Sequence, residues 1–520
     1  MSEPQDTGAG ASADDPRRQS MTAVLSRHWK LAVMTAAGLA TVAASTTLVA
    51  VNHREATAGA QATAALTDSK GDHDKGKDKG DHDKGKDKGG HDKGGEGHKS
   101  GHDKDGHGDS GDHDKSDDKY GGHPSGDATY VECDPNELIV AILDLNSDSG
   151  GELVLAKDCK YTLTVNEDEN GLPVITQPIT IHGNGATIQR AANGDSFRIF
   201  DVGPGGDLKL SHLTITRGKL ESGSDGGGIR VTDAGRLHLD HVTLTRNSSD
   251  LEESNGGAIY NEGITDIHRS TLSKNTGEDG AAVYNDQGKL NITESKITGN
   301  VSDADDGYAA LYNDAGTLKV SKSLVGYNYA YYGGGIYNSY DGEGGTTEIN
   351  RSAVVYNHAY YGGGLYSDEG SLVVRDSTIA YNTTAQLEGE LASGVGGGVY
   401  LQGAGAATFV GSKIYANTAA TNGGGIYTDL NDEAVLSLRD SKVSNNQAPG
   451  NGAMGGGIFV GEGDEVRLID TKVTGNISDE PAGGVHNLGE VTTYGKVKII
   501  DNVPTNCEAP GTNPVPNCFG

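Results

Sequence analysis

A repeat of 24 to 34 residues constrains this chain more than any other feature. A small-residue triplet recurs ten times, and the aliphatic residue that follows it stands at Ile229, Ile259, Val283, Leu311, Ile336, Leu365, Val399, Ile426, Ile458 and Val485. A second column keeps step with the first, at Asn247, Asn275, Asn300, Asn328, Asn357, Asn382, Asn417, Asn446, Asn476 and Asn502. Because two registers persist together over ten copies, the sequence predicts a repeat architecture rather than several independent globular domains.

Each copy alternates apolar and polar residues over short stretches, as in RLHLDHVTLTRN at 236–247. Alternation broken by Gly, Asn and Asp indicates short strands joined by tight turns. One copy cannot bury its apolar side alone, so successive copies must stack. With the similar segments at 173–188 and 197–216, the sequence predicts an all-β chain, a parallel β-helix solenoid of about twelve turns. The aliphatic column should lie inside, and the Asn column should form a hydrogen-bonded turn ladder.

Both ends of such a coil need a cover. CDPNELIVAILDLN at 133–146 predicts an amphipathic helix over the first turn, with Asp134 as its N-cap and Pro135 at its first position. The four cysteines suggest two local pairs: a Cys133–Cys159 disulfide would hold this helix, and Cys507 with Cys518 would close the last loop. Both bonds suit an oxidising exterior. We expect an N-terminal cap over 129–171, repeats over 172–502 and a C-terminal cap over 503–520.

The segment before the repeats contains an uncharged apolar run, LAVMTAAGLATVAASTTLVAV at 31–51, long enough to span a bilayer as a helix. Basic residues precede it, so residues 1–30 should form a disordered cytoplasmic N-terminus. Small residues at 56–60 offer a cleavage site, which leaves two alternatives, a signal peptide or a transmembrane anchor. Met21 is an alternative start of the chain. Either way, the rest of the chain is expected outside the cell, secreted or membrane-anchored at its surface.

Residues 52–128 form a spacer whose main part, 68–123, is a low-complexity tract rich in His, Asp, Lys and Gly. The tract contains almost no apolar side chain and cannot bury a core, so we expect it to be disordered and solvated. Its eight His residues could bind zinc or nickel loosely, but no fixed coordination geometry is implied. The plain spacer is the favoured interpretation.

Charge is the next constraint on partners. The chain has a formal net charge of -31, and residues 124–520 contain 52 acidic and 25 basic residues. A field of this sign should repel nucleic acid and anionic glycans unless a cation intervenes. We therefore expect no nucleic-acid partner.

The order of several motifs resembles secreted bacterial right-handed parallel β-helix repeat proteins. These motifs are ELIVAIL at 137–143, LVLAKDCKYTLT at 153–164, GLPVITQPITIHGNGATIQR at 171–190, the repeated GGGIY and S-x-I-x-x-N units, and the C-terminal Cys pair. The repeated units are also similar to those of polymorphic outer-membrane proteins. The resemblance covers about residues 130–520 and implies a right-handed coil. For function it implies only a range that includes adhesins, passenger domains and polysaccharide lyases.

The glycine triplets, as in AYYGGGIYN at 330–338, do not fit a phosphate-binding loop. That loop needs Lys and then Ser or Thr after its glycines, whereas Ile-Tyr or Leu-Tyr follows these triplets. The resemblance also implies enzymes as an alternative, namely polysaccharide lyases and glycoside hydrolases. Such enzymes need converging carboxylates or a nearby base. The acidic clusters at 166–170, 302–306 and 478–480 are typical of solvated loops, and Arg351 and Arg375 of exposed strand positions. We assign no catalytic residue, metal ligand or cofactor.

Tyrosine provides the candidate binding residues. The residue after the core aliphatic is aromatic in eight of the ten copies, and strand alternation places this column on the outside of the coil. The paired tyrosines before two glycine triplets have no evident packing role at the level of sequence, and exposed aromatic patches tend to be functional. The alternative is that these aromatics only stabilise the stack. The candidate site comprises Tyr327, Tyr331, Tyr332, Tyr337, Tyr356, Tyr360, Tyr361, Tyr366 and Tyr381.

Three functional hypotheses follow. The first is a monomeric extracellular rod, with a structural or adhesive role, that binds a glycan or protein partner through its Tyr-rich face. The second is a polysaccharide lyase or glycoside hydrolase that acts in a groove of the β-helix. The third is an envelope protein without a ligand.

Overall fold

The computed structural model of the chain describes residues 127–221, 223–249, 254–302, 306–339, 345–387, 389, 393–430, 434–510 and 513–519. The predicted N-terminal segment, the apolar run at 31–51 and the spacer up to residue 126 lie outside the described residues. Within the part that is described, no helix combines the length and the apolarity needed to cross a membrane.

The predicted capping helix is confirmed and runs Pro135–Ser147. The side chain of Asp134 accepts a hydrogen bond from the backbone N–H of Asn136 at 2.8 Å, which is the expected N-cap contact. Leu138 and Ile142 lie on the buried side of the helix. The Cys133–Cys159 disulfide ties the start of the helix to the first turns of the coil.

Three long parallel sheets of 14, 13 and 12 strands run along the coil, which confirms the predicted β-solenoid. Each turn contributes one strand to each sheet in chain order, as Thr317–Ser321, Leu324–Gly326 and Ile336–Ser339 illustrate. The 14-stranded sheet already begins at Thr129–Val131, inside the region expected to be the N-terminal cap. The coil therefore starts earlier in the chain than the repeat signal does.

The three sheets are built from strands of two to five residues. The first sheet contains Thr129–Val131, Gly151–Leu155, Pro178–His182, Asp207–Ser211, Arg236–Asp240, Ile264–His268, Lys289–Thr293, Thr317–Ser321, Thr346–Asn350, Ser371–Arg375, Ala407–Val410, Val435–Arg439, Glu465–Ile469 and Glu490–Tyr494. The second contains Lys160–Leu163, Thr187–Arg190, Thr214–Thr216, Thr243–Thr245, Thr271–Ser273, Lys296–Thr298, Leu324–Gly326, Ala353–Val355, Thr378–Ala380, Lys413–Tyr415, Lys442–Ser444, Lys472–Thr474 and Lys498–Ile500. The third contains Phe200–Val202, Ile229–Val231, Ile259–Asn261, Val283–Asp286, Leu311–Asp314, Ile336–Ser339, Leu365–Asp368, Val399–Gly403, Ile426–Leu430, Ile458–Val460, Val485–Asn487 and Cys507–Glu508. Two short pairs complete the set, His358–Ala359 with Thr383–Thr384 and Gln447–Ala448 with Ile477–Ser478.

The core fills the interior of the coil. All ten aliphatic residues of the first sequence column are at most 1% exposed, so their assignment to the interior is confirmed. The same column is in register across the third sheet, as the pairs Leu311 with Ile336 and Ile336 with Leu365 show. Stacking thus buries an apolar side that one turn alone would expose.

The predicted asparagine ladder is also confirmed. The side-chain amide of Asn328 donates to the amide oxygen of Asn357 at 3.0 Å, and Asn357 donates to Asn382 at the same distance. A serine ladder accompanies it: the backbone N–H of Ser323 donates to Oγ of Ser352 at 3.1 Å. The S-x-I-x-x-N motif therefore consists of two turn residues that flank one strand of the second sheet.

The glycine triplets allow a backbone conformation and a close packing of turns that larger residues would disturb. Gly333, the first glycine of AYYGGGIYN, has a φ of +60°, and a Cβ added there would lie 2.7 Å from the carbonyl oxygen of Ile336. L-residues adopt this region of φ at a cost, and glycine adopts it freely. At the far end of the coil, the predicted Cys507–Cys518 disulfide closes the last loop, and Val515 within that loop is buried.

Candidate binding site

The turn before each ladder asparagine has a left-handed backbone. The preceding residue has a positive φ at Arg246, Lys274, Gly299, Tyr327, Tyr356, Tyr381, Ala416, Asn445, Gly475 and Asp501. For a bulky side chain such a φ is an outlier, and it costs about 1–2 kcal/mol. Three successive turns nevertheless place tyrosine here, with φ of 60°, 57° and 57°.

These three tyrosines form an aromatic stack at the surface. The ring centroids of Tyr327 and Tyr356 are 5.0 Å apart, those of Tyr356 and Tyr381 are 4.9 Å apart, and the planes differ by 7° and 5°. Tyr356 is 37% exposed and Tyr381 42% exposed. Tyr415 extends the row by one turn, edge-on to Tyr381 at 5.4 Å. We refer to Tyr327, Tyr356 and Tyr381 as the tyrosine stack.

A second aromatic pair follows two residues later in the same turns. The rings of Tyr329 and His358 stack at 5.5 Å with 22° between their planes. Both side chains point outward, because the next residues, Ala330 and Ala359, are completely buried. Burial lowers the pKa of His358 below its ordinary value, and its Nδ1 lies 2.8 Å from Oγ1 of Thr383.

The long aromatic column on the third sheet lies on the outer side, as expected, but it is covered, so Tyr337 and Tyr366 are not the exposed binding residues that were predicted. Tyr337 is 4% exposed and Tyr366 5% exposed, although both lie on the side of the sheet opposite the aliphatic interior. Strand alternation predicts the side of a sheet on which a residue lies but not what covers that side. Here Tyr337 and Tyr366 belong to a second apolar cluster outside the coil interior, together with Ala309, Val395 and Tyr400.

The paired tyrosines are part of this cover, which corrects the expectation that they have no packing role. Tyr332 stacks on Tyr361 at 5.2 Å and packs against Tyr366 at 5.8 Å. The first members of the pairs, Tyr331 and Tyr360, are half-buried and lie 5.0 Å apart with planes tilted by 52°. Of the predicted site residues, Tyr332 and Tyr361 therefore join Tyr337 and Tyr366 in a structural cluster.

The hydroxyl groups of the buried column bond along the coil. Tyr284 donates to Asp314 at 2.7 Å, and Tyr337 donates to Asp368 at 3.3 Å, in each case to a carboxylate on the next turn. Burial raises the pKa of both tyrosines above the ordinary value, so both remain neutral phenols. These residues hold neighbouring turns together and offer no accessible face to a ligand.

The acidic clusters do not meet. Residues 166–170 lie near the start of the coil and 478–480 near its end, whereas 303–305 lie outside the described residues. Arg351 and Arg375 are exposed, as expected. Burial raises the pKa of Asp279 to about 7, and its carboxylate accepts a hydrogen bond from the backbone N–H of Tyr308 at 2.9 Å.

A polar depression of about 690 Å³ lies among the first turns. Arg190, Lys219 and Glu221 contribute to its lining, but none of the predicted site tyrosines does. The Nε–H of Arg190 donates to the carbonyl of Arg217 at 2.8 Å, and its Nη1 donates to three further carbonyl oxygens. This guanidinium therefore supports local backbone rather than a ligand.

No family model, curated protein or solved structure matches this chain. The resemblance to secreted β-helix repeat proteins thus stays a prediction, and the fold rests on the structure alone. Both disulfides are consistent with an oxidising compartment.

The predicted site residues therefore fall into a surface group and a buried structural group. Tyr327, Tyr356 and Tyr381 come together as a stack that is exposed at Tyr356 and Tyr381, with Tyr331 and Tyr360 half-buried on the same turns. Tyr329, His358 and Tyr415 were missed at the level of sequence. Their signal was available, because His358 and Tyr415 alternate with small or aliphatic residues and Tyr329 precedes an alanine in the same way as His358.

Proposed function

We propose that this chain is an extracellular glycan-binding solenoid and that its ligand lies along the tyrosine stack. One observation carries the proposal: three successive turns place a tyrosine in a left-handed turn, half-buried at Tyr327 and exposed at Tyr356 and Tyr381. None of the other turns in the asparagine column has an aromatic residue at this position. The backbone conformation of each tyrosine costs free energy, and residues held in such conformations cluster at ligand sites.

The chemistry of the stack suits a sugar chain. Because neighbouring rings partly cover each other, ring edges and part of each face are what Tyr356 and Tyr381 present to solvent. Tyrosine in this arrangement offers an apolar body with a polar tip. A sugar has the complementary mixture of C–H surface and hydroxyl groups. The repeat of about 4.8 Å between turns sets these contacts in a line, which favours an extended polymer over a compact ligand.

Localisation outside the cell is part of the proposal. Two disulfides and the expected signal peptide or anchor at 31–51 support it. In this arrangement the spacer would hold the solenoid away from the membrane or cell surface.

The test replaces the exposed rings without disturbing the turn. In the double variant Tyr356→Asn and Tyr381→Asn, asparagine tolerates the left-handed backbone, so the coil should keep its fold. The wild type is screened by retention on immobilised cellulose, chitin, xylan, mannan and polygalacturonate. We expect saturable binding to at least one polymer and a loss of about tenfold or more in affinity for the double variant.

The matched control is Tyr494→Asn, which removes a tyrosine that is 56% exposed on the first sheet. It should bind as the wild type does. Equal binding by the double variant, with circular dichroism unchanged, would remove the tyrosine stack as the site. The absence of saturable binding to every polymer would refute the glycan proposal and favour the purely structural envelope protein.

A polysaccharide lyase or glycoside hydrolase remains the second candidate, because one observation favours it. The raised pKa of Asp279 keeps a protonated carboxyl group available near neutral pH, as a general acid requires. Release of oligosaccharides from any of the polymers, abolished by Asp279→Asn, would support the enzyme. Polymers that stay intact after prolonged incubation with the wild type would exclude that role for Asp279.

A further inference from the structure

Four lysines on successive turns form a straight row on the second sheet. Lys413 pairs with Lys442, Lys442 with Lys472, and Lys472 with Lys498, each in register on parallel strands. Lys413, Lys442 and Lys498 are exposed and Lys472 is half-buried. We refer to these four residues as the lysine row.

The row is unfavourable for the fold. Adjacent strands lie about 4.8 Å apart, and like charges directly opposite each other destabilise a sheet. Among the described residues, no Asp or Glu forms an ion pair with any of the four lysines. Three lysines elsewhere in the described part of the chain do form ion pairs, as Lys322 does with Glu294 at 3.1 Å.

Three acidic residues flank the row in the adjoining turns. Asp440 and Asp470 occupy the turns that precede Lys442 and Lys472. One oxygen of Asp470 already accepts a hydrogen bond from the backbone N–H of Lys496 at 2.8 Å. On the other side of the row, Asp501 lies in the turn that follows Lys498.

The row also reduces the local negative charge of a strongly acidic chain. The net charge is -31, but charges farther away than about 8–10 Å are largely screened at physiological salt. A ligand close to the row therefore meets mainly the four lysines and the carboxylates of Asp440, Asp470 and Asp501. The repulsion of anionic glycans that the overall composition predicts is weaker at this strip.

The lysine row adjoins the tyrosine stack at Tyr415. Lys413 and Tyr415 lie on the same strand and both point outward, because Ile414 between them is completely buried. The ring of Tyr415 is edge-on to Tyr381, the last member of the stack. The tyrosines of the stack follow the ends of second-sheet strands on the middle turns, and the lysines stand at the starts of second-sheet strands on the later turns. Tyr415 lies between the two groups, on the strand that begins at Lys413.

We propose that the ligand of the tyrosine stack is a linear anionic polysaccharide and that the lysine row binds its charged groups. This inference rests on the proposed function and names its ligand class. A polymer with an anionic group on each sugar can place successive charges along successive lysines while its preceding sugars contact the tyrosines. Lysine provides a point charge that does not require bidentate geometry, so carboxylate and phosphate are both compatible with the row.

Single-stranded nucleic acid, the other linear polyanion that uses aromatic contacts, fits less well. Its bases stack on open ring faces. The rings of the tyrosine stack are only 5.0 and 4.9 Å apart, so no base can enter between them. We therefore favour a glycan, and nucleic acid becomes an outcome of the test.

The experiment measures binding of the full chain to polygalacturonate and to the same polymer after complete methyl esterification, which removes the charge and keeps the sugar chain. A glycerol-phosphate polymer and single-stranded DNA are the other two probes. The variant is the triple Lys442→Gln, Lys472→Gln and Lys498→Gln. The matched control, with the same change in net charge on another face, is Lys209→Gln, Lys289→Gln and Lys319→Gln on the first sheet.

We expect the wild type to bind a charged glycan polymer more tightly than the esterified one. Its affinity should fall about tenfold or more when NaCl rises from about 50 to about 200 mM, because each lysine contact releases counterions. The triple variant should lose about tenfold in affinity and most of this salt dependence, and it should unfold at the same or a higher temperature. The control triple should behave as the wild type. Carboxylate and phosphate sources are distinguished by which charged polymer binds.

Three results would overturn the inference: equal affinity for charged and esterified polymers, an unchanged triple variant, or tighter binding to single-stranded DNA than to any glycan. The first two leave the proposed function intact if Tyr356→Asn with Tyr381→Asn still abolishes binding. If no polymer binds and the tyrosine variant changes nothing, the proposed function fails as well. The two failures are therefore distinguishable.

Discussion

Asn446 lies in the middle of the asparagine ladder and is completely buried. Its amide oxygen accepts hydrogen bonds from the backbone N–H and the side-chain amide of Asn417, at 3.0 and 2.9 Å. Its own side-chain amide donates to the carbonyl of Ile414 at 3.1 Å and to Asn476 at 3.0 Å. Replacement by alanine removes all four contacts at once.

The expected cost follows from the groups left behind. In Asn446→Ala, two donors of Asn417 and the carbonyl of Ile414 lose this partner inside the coil. A buried polar group that loses its partner costs about 1–3 kcal/mol, so the change should lower the free energy of unfolding by about 3–6 kcal/mol. Each turn of a solenoid contacts only its neighbours, so the weakened region should centre on the turns of Asn417 and Asn476.

The variant Asn446→Asp adds a dependence on pH. A carboxylate can still accept from Asn417, but it places an acceptor oxygen against the carbonyl of Ile414 and the amide oxygen of Asn476. Both contacts disfavour the charged form and should raise the pKa of the introduced carboxyl in the folded state above its unfolded value. The stability of this variant is therefore greatest below the unfolded pKa and is lost as pH rises through the folded pKa. Relative to the wild type, it should be less destabilised at about pH 4 than at about pH 8.

The matched control is the next residue in the chain. Asn445 is exposed in the left-handed turn, with a φ of 56°. Asn445→Ala should cost only about 1 kcal/mol, because alanine fits this backbone less well, and Asn445→Asp should show no comparable pH dependence. Urea unfolding is followed by far-UV circular dichroism, with hydrogen exchange to locate the change. If Asn446→Ala costs no more than Asn445→Ala, the ladder does not contribute the stability argued above.

Three further predictions concern other parts of the coil. Gly333→Ala forces a side chain into a φ of +60° and should lower the free energy of unfolding by about 1–2 kcal/mol in urea; an unchanged midpoint would contradict the backbone argument. Replacing Cys133 and Cys159 together by serine removes a cross-link over 26 residues. The change should lower the free energy of unfolding by about 3 kcal/mol and speed hydrogen exchange in the capping helix. Equal exchange with and without the bond would refute its role there. Asp279 has a folded pKa of about 7, raised from the ordinary value of 3.8, so the wild type loses stability from this group as pH rises from about 4 to about 7. Asp279→Asn keeps an acceptor for the N–H of Tyr308, and its stability relative to the wild type should be greater at about pH 8 than at about pH 4, which thermal unfolding at the two pH values measures.

The sequence predicted the fold because its signals are local and repeat. The aliphatic column that contains Ile336 and the asparagine column that contains Asn357 recur with matching spacing. Only stacked turns can both bury the first column and let the second form hydrogen bonds along the coil. The same holds for the capping helix, since Asp134 and Pro135 act on the residues that follow them directly. Both disulfides join cysteines that are near in sequence, so few other pairings were available.

The binding site could be predicted only in part. Alternation correctly placed Tyr337 outside the aliphatic interior, but it could not show that Tyr332 and Tyr361 bury the aromatic column around it. Tyr356 and Tyr381 were named as candidates, yet their stacked, exposed geometry depends on a left-handed turn that no spacing rule indicates.

The lysine row was missed at the level of sequence, although its signal is there: Lys413, Lys442, Lys472 and Lys498 each stand four residues before a ladder asparagine. Strand register places these lysines directly opposite one another. Sequence alone determined which residues face the interior and which turns stack, because those follow from local periodicity. Tertiary structure decided which outward residues are covered, because that depends on the loops of neighbouring turns.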